Sequence, residues 1–189
     1  MKNLGRILGA IVMASSVSCF QSGGEGVPAP GQVSFSGGYE TDPRDHGRPV
    51  ALISSALGVT EEVFREEFRR VTPAKGGPPS RAQARANKKI LMDALGEHGV
   101  TNERLDEVSD FYRYNPQAGE LWRRTPAAAT AIVKDGKVIG FNITNAGAGY
   151  TTAPTVTVAG YADLTVNVAI EFDADFSKNG RVTSLTVIE

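Results

Sequence analysis

The feature that most limits how this chain can fold is a single change of apolar period near Trp122, from helical spacing before it to strand alternation after it. Val50, Ile53 and Leu57 recur at helical intervals and stop at Gly58, which predicts a first helix over 50–57. Thr60 is suited to cap a second, in which Glu61 and Glu62 favour the positive helix start and Val63, Phe64, Phe68 and Val71 form one stripe. Thr72-Pro73 ends it, and a loop of Lys, Gly and Pro leads to Ser80, the expected cap of a third helix with Ala84, Ile90, Leu91, Ala94 and Leu95 inward. The fourth starts at Thr101 or Asn102, turns Leu105, Val108 and Tyr112 to one face, and stops near Asn115-Pro116.

Gly58-Val59-Thr60-Glu61 and Gly99-Val100-Thr101-Asn102 both join an incoming to an outgoing helix, with Phe64 and Leu105 at the same offset. Two accounts fit: a pair of related helical hairpins, or good local chemistry for a stop followed by a cap, used twice.

Beyond Trp122, residues 130–133 and 137–144 alternate around Asp135-Gly136, a strong hairpin signal. Three more strands are predicted over 155–158, 164–172 and 182–188, with Asn179-Gly180 as a tight turn between the last two. The expected fold class is therefore α+β: a four-helix, two-hairpin segment at 43–125, then a small antiparallel β-rich module at 126–189. So small a β unit has a thin core alone, which predicts packing against the helices with Trp122 as the wedge.

The N-terminus has the parts of an export signal: Lys2 and Arg6, an apolar run from Ile7 to Val17 too short to span a bilayer, and Ser15, Ser16 and Ser18 before Cys19. Two cleavage routes stand open. Cys19, the chain's one cysteine, can be the lipid-modified first residue of a lipoprotein; alternatively, with Ser16 where such leaders usually carry an aliphatic residue, cleavage follows Ser16 or Ser18. Residues 1–19 are thus read as leader and 20–42, rich in Gly, Ser and Pro, as a flexible tether. Without Lys2 and Arg6 the chain carries 18 basic and 21 acidic residues, which does not favour nucleic acid as a partner. The expected location is exported: periplasm, membrane-anchored envelope or cell surface, with membrane contact only through a lipid on Cys19.

Gly147-Ala148-Gly149-Tyr150-Thr151-Thr152-Ala153-Pro154-Thr155-Val156, after an Asp-Gly hairpin and Ile143-Thr144-Asn145, resembles the short β repeats of phage tail fibres and bacterial surface proteins. There a Gly-x-Gly-Tyr turn precedes x-x-x-Pro-x-Val, and the likeness covers the last third of the chain. The helical segment, with Leu-Gly-Val-Thr-Glu-Glu-Val-Phe at 57–64 and Leu-Asp-Glu-Val-Ser at 105–109, is similar to parts of uncharacterised exported bacterial proteins. These resemblances imply a fold and an exported setting, and no mechanism. Physically, Gly147 and Gly149 supply positive φ, Tyr150 covers the exposed turn, and Pro154 limits pairing at a strand start, which is a structural account of the whole motif.

Catalytic chemistry is hard to assemble from these residues. There is no Gly-x-Ser-x-Gly elbow, and the two histidines, His46 beside Asp45 and His98 beside Glu97, have no clustered ligands at metal-binding spacing. Glu61, Glu62, Glu66 and Glu67 alternate with Arg65, Arg69 and Arg70 as on a solvated, ion-paired helix face. Asp173–Gly180 starts like a calcium loop but has Lys178 and Ser184 where an EF-hand needs glycine and glutamate. No metal or cofactor is expected.

Two surfaces are candidates for binding. Asn145, Tyr150 and Tyr161 could form a ridge for stacking on sugar or peptide, and Arg81, Arg85, Lys88 and Lys89, with Lys75 upstream, are either a solvated helix face or a basic stripe for an anionic envelope polymer, lipid headgroups or an acidic protein surface. The expected function is a noncatalytic interaction or structural component of the cell envelope, its partner an envelope protein or polysaccharide; an accessory carbohydrate-binding protein is the alternative.

Overall fold

The computed structural model describes residues 29–72, 79–115 and 118–188. The leader with Cys19, the tether over 20–28, Lys75 and Pro116 lie outside the described residues. The fold is α+β. Four helices, α1 (Val50–Leu57), α2 (Glu61–Phe68), α3 (Arg81–Leu95) and α4 (Asn102–Phe111), precede five strands, β2 (Ala128–Lys134), β3 (Lys137–Asn145), β4 (Thr155–Val158), β5 (Thr165–Glu171) and β6 (Arg181–Ile188). One further strand, β1 (Val33–Ser36), comes before the helices.

That strand corrects the tether expected through residue 42. β1 pairs antiparallel with β4, with Val33 opposite Val158 and Phe35 opposite Val156. Two large apolar residues at alternate positions suffice for a strand when the partner strand is already held in a folded module.

The helix ends follow from local chemistry. Gly58 and Gly99 take φ of 72° and 82°, the left-handed stop that a Cβ would strain. Thr60, Ser80 and Thr101 accept hydrogen bonds from the backbone N–H of Val63, Gln83 and Arg104. The helices pack Leu52, Leu57, Phe64, Leu95, Leu105, Val108 and Tyr112 into one core with Trp122. α3 contributes little to it: Leu95 is its only buried residue among those described, and Ala84, predicted to face inward, is exposed.

The strands form three antiparallel ladders, β1 with β4, β2 with β3 and β5 with β6. β1 also lies beside β2, β3 beside β6 and β4 beside β5, so the six strands follow one another round a ring. Phe35, Ile143, Val168, Ile170, Val182 and Leu185 meet inside it. The β2–β3 turn has positive φ at Asp135 and Gly136, as the right-handed twist of a hairpin favours. β5 and β6 differ from expectation: residues 172–180 form a longer loop, and Asn179 is fully buried rather than at a turn tip.

This loop and the Gly147–Tyr150 turn join the two halves. Trp122 Nε1 donates to Gly149 O at 2.8 Å, and the Gly149 and Tyr150 N–H groups donate to Asn179 O and Gly180 O. Asn179 Nδ2 donates to Leu52 O at 2.8 Å and to the Tyr112 hydroxyl at 2.9 Å. Gly180 admits no side chain, since a Cβ there would stand 2.2 Å from Tyr150 O. Phe176, from the same loop, stacks on Phe111 of α4 with ring centroids 4.1 Å apart. A buried amide and a half-buried aromatic thus weld the β ring to α1 and α4.

Candidate functional site: an arginine-lined cleft on the second helix

The site begins in the polar segment before α1. Asp42 accepts from the Arg44 N–H, and Pro43–Asp45 then makes one turn of 3-10 helix. That turn points the Asp45 side chain inward, where it is 3% exposed. A buried carboxylate needs a cation, and Arg65 of α2 supplies it in a two-pronged contact, Nε to Oδ1 and Nη2 to Oδ2, both at 2.8 Å. Arg65 Nη2 also donates to Glu61 Oε2 at 2.6 Å. The Asp45 contact holds the Arg65 guanidinium further above its ordinary pKa. Breaking such a pair from one side costs about 3–5 kcal/mol, so Arg65 is committed to structure.

Arg48 is placed differently. Its guanidinium lies 4.1 Å from the centroid of the Phe68 ring, a cation-π contact. The only hydrogen bond of its side chain among the described residues runs from Nη1 to the Asp45 carbonyl at 3.1 Å. The Asp45 carboxylate is already taken by Arg65, and among the described residues no carboxylate lies within salt-bridge distance of Arg48. Burial pushes the pKa of Arg48 down, the direction expected when a charge loses water without gaining a counter-ion.

Around it is an open cleft of about 440 Å³. Val50, Phe64, Phe68 and Val71 provide its apolar surface, and Arg44, His46, Arg48 and Arg69 its polar margin. Arg44 and Arg69 are paired with Asp42 and Glu66, but their side chains are 67% and 69% exposed and free to exchange partners at little cost. Arg48, Phe64 and Phe68 also line a second hollow of about 240 Å³ toward α4. What this arrangement can do chemically is hold an anion against an apolar surface.

The residues predicted for binding lie elsewhere. Tyr150 is not part of a ridge: it is 1% exposed, its hydroxyl accepts from the Ala127 N–H, and its ring stacks on Tyr39. The turn around it folds back onto residues 123–127, so close that a Cβ on Gly147 would lie 2.7 Å from Ala127 N. That approach seals the tyrosine inside. Asn145 is exposed at the end of β3, where its Oδ1 accepts from the Gly147 N–H, and Tyr161 is half-buried in the β4–β5 turn. In the basic stripe, Lys88 pairs with Asp106 and Lys89 with Asp93, while Arg81 and Arg85 are exposed. Both histidines, His46 and His98, are exposed, and among the described residues no group of three or more His, Cys, Asp or Glu side chains is placed to hold a metal.

Sequence reasoning missed Arg48 and misread Arg65. The helix-face pattern treats Arg65 as solvated, whereas it turns inward to a carboxylate twenty positions earlier. The available signal was an acid before the helix, Asp45, followed by a cation, Arg48, with no carboxylate after it at helical spacing. No protein-family model, curated protein or solved structure matches this chain.

Proposed function

We propose that this chain is an exported, noncatalytic interaction component of the cell envelope that engages its partner through the Arg48 cleft. The carrying observation is the half-buried Arg48 guanidinium, stacked on Phe68 without a carboxylate partner among the described residues. A charge left so poorly compensated costs stability, and a ligand that completes it recovers that cost on binding. The apolar surface beside it adds desolvation energy, and an open cleft of this size suits a few side chains of a partner. Export rests on the Lys2, Arg6 and Cys19 leader, and the likeness of 147–156 to surface and tail-fibre repeats fits an envelope setting.

The test is site-specific photo-cross-linking in intact cells, with a benzophenone amino acid at Arg69 on the cleft rim or at Ile139, which is 58% exposed in the β ring. A discrete adduct from the first position alone, in the envelope fraction, is expected. Identical adduct patterns from both positions, or recovery of the chain in the cytoplasm, would overturn the reading.

A further inference from the structure

Resting on that reading, we infer that the cleft's occupant is an acidic segment of a partner polypeptide, with one apolar side chain seated on Phe68 and Val71 and carboxylates facing Arg48, Arg44 and Arg69.

Charge complementarity selects the acid. Arg48 has lost water to Phe68 and gained only a backbone carbonyl, so a carboxylate from outside meets a cation whose desolvation is already partly paid. Arg44 and Arg69 flank it on two different elements, the turn before α1 and the end of α2. Cations spread along a cleft match several acidic side chains in sequence better than one isolated anion.

The surroundings select polypeptide over a phosphate polymer. Asp45 stands in the wall, fixed to Arg65, whereas Asp42 and Glu66 on the exposed rim are free to turn away from Arg44 and Arg69, so carboxylates spaced along a chain reach the arginines while a densely charged polyanion also presses charge against Asp45. A peptide spaces its charges and brings the apolar group that Phe68 and Val71 call for. Phe68 then serves twice, under Arg48 and in the lining of the cleft, as aromatic and arginine anchors do at the centres of interfaces.

The experiment uses the purified chain with three capped peptides: acetyl-Glu-Leu-Asp-Leu-Glu-amide, its neutral analogue acetyl-Gln-Leu-Asn-Leu-Gln-amide, and acetyl-Glu-Gly-Asp-Gly-Glu-amide. NMR titration follows the Arg48 Nε–H signal and the backbone amides of α2. The first peptide should saturate with shifts centred on Arg48 and Phe68, and each of the others should bind at least about ten-fold more weakly. Arg48→Met, which keeps the apolar stem over Phe68, should weaken the first peptide by a similar factor with the spectrum otherwise unchanged, and added salt should weaken it in the wild type. Equal binding of the neutral peptide, shifts centred elsewhere, or tighter binding of inorganic hexaphosphate to the same residues would overturn the inference. A partner captured from Arg69 with no binding of the acidic peptide would overturn this inference alone and leave the interaction reading standing.

Discussion

The two Gly-Val-Thr links begin helices of the same design and unequal fate. After Gly58 and Gly99, Thr60 and Thr101 adopt the same extended conformation, with ψ of 158° and 159°, and cap α2 and α4 in the same way. Phe64 and Leu105 then fall at the same offset and both enter the core. There the likeness ends. α4 is covered: Phe176 stacks on Phe111, Asn179 reaches the Tyr112 hydroxyl, and Arg104 donates to Ala56 O and Ala174 O. Among the described residues no hydrogen bond, ion pair or ring contact runs from the β ring to α2, and Phe68 and Val71, only half-buried, edge the Arg48 cleft instead. Local chemistry makes equivalent helices; what the rest of the chain lays over them decides which becomes scaffold and which becomes surface.

This contrast can be broken most severely at its seal. Asn179→Ala should destabilise the protein by about 2–4 kcal/mol, because it leaves Leu52 O without its buried donor and removes the partner of Tyr112, and a denaturant titration will measure the loss. Tyr112→Phe removes less, about 1 kcal/mol at neutral pH. Its sharper signature is alkaline. Burial pushes the Tyr112 phenol up to about 12, above the unfolded value of about 10, so stability present below pH 10 is lost as pH rises toward 12. Thermal melts across that range should fall less steeply for Tyr112→Phe than for the wild type. The smallest effects belong to the caps: Thr60→Ala and Thr101→Ala should each cost about 1 kcal/mol. Hydrogen exchange should show the α2 amides opening locally in the first variant, while those of α4 remain protected by the loop above them.

The caps and helix starts were legible because they are settled within four residues by side chains that satisfy backbone donors. The Asp135-Gly136 hairpin was legible for the same reason. β1 was not, since a strand of two serines and two apolar residues declares itself only beside β4. Asn179-Gly180 reads as a turn in any sequence, yet here the loop folds inward and the asparagine becomes a buried tie. Tyr150 next to glycines reads either as a cover for its turn or as part of an exposed ridge, and only the return of residues 123–127 decides for the first.

By itself the sequence determined the helices-then-strands order from residue 50 onward, the helix caps, the first hairpin and the left-handed glycines, all consequences of backbone preferences over a few positions. Tertiary structure alone decided which charges are spent and which remain. Arg65 and Arg48 are both arginines near apolar helical residues, and the distinction between them depends on Asp45, a single carboxylate with room for one two-pronged partner. Arg65 occupies it, and Arg48 is left half-buried over Phe68. Charge pairing over such separations is set by three-dimensional proximity and the loss of water, neither of which a linear pattern records.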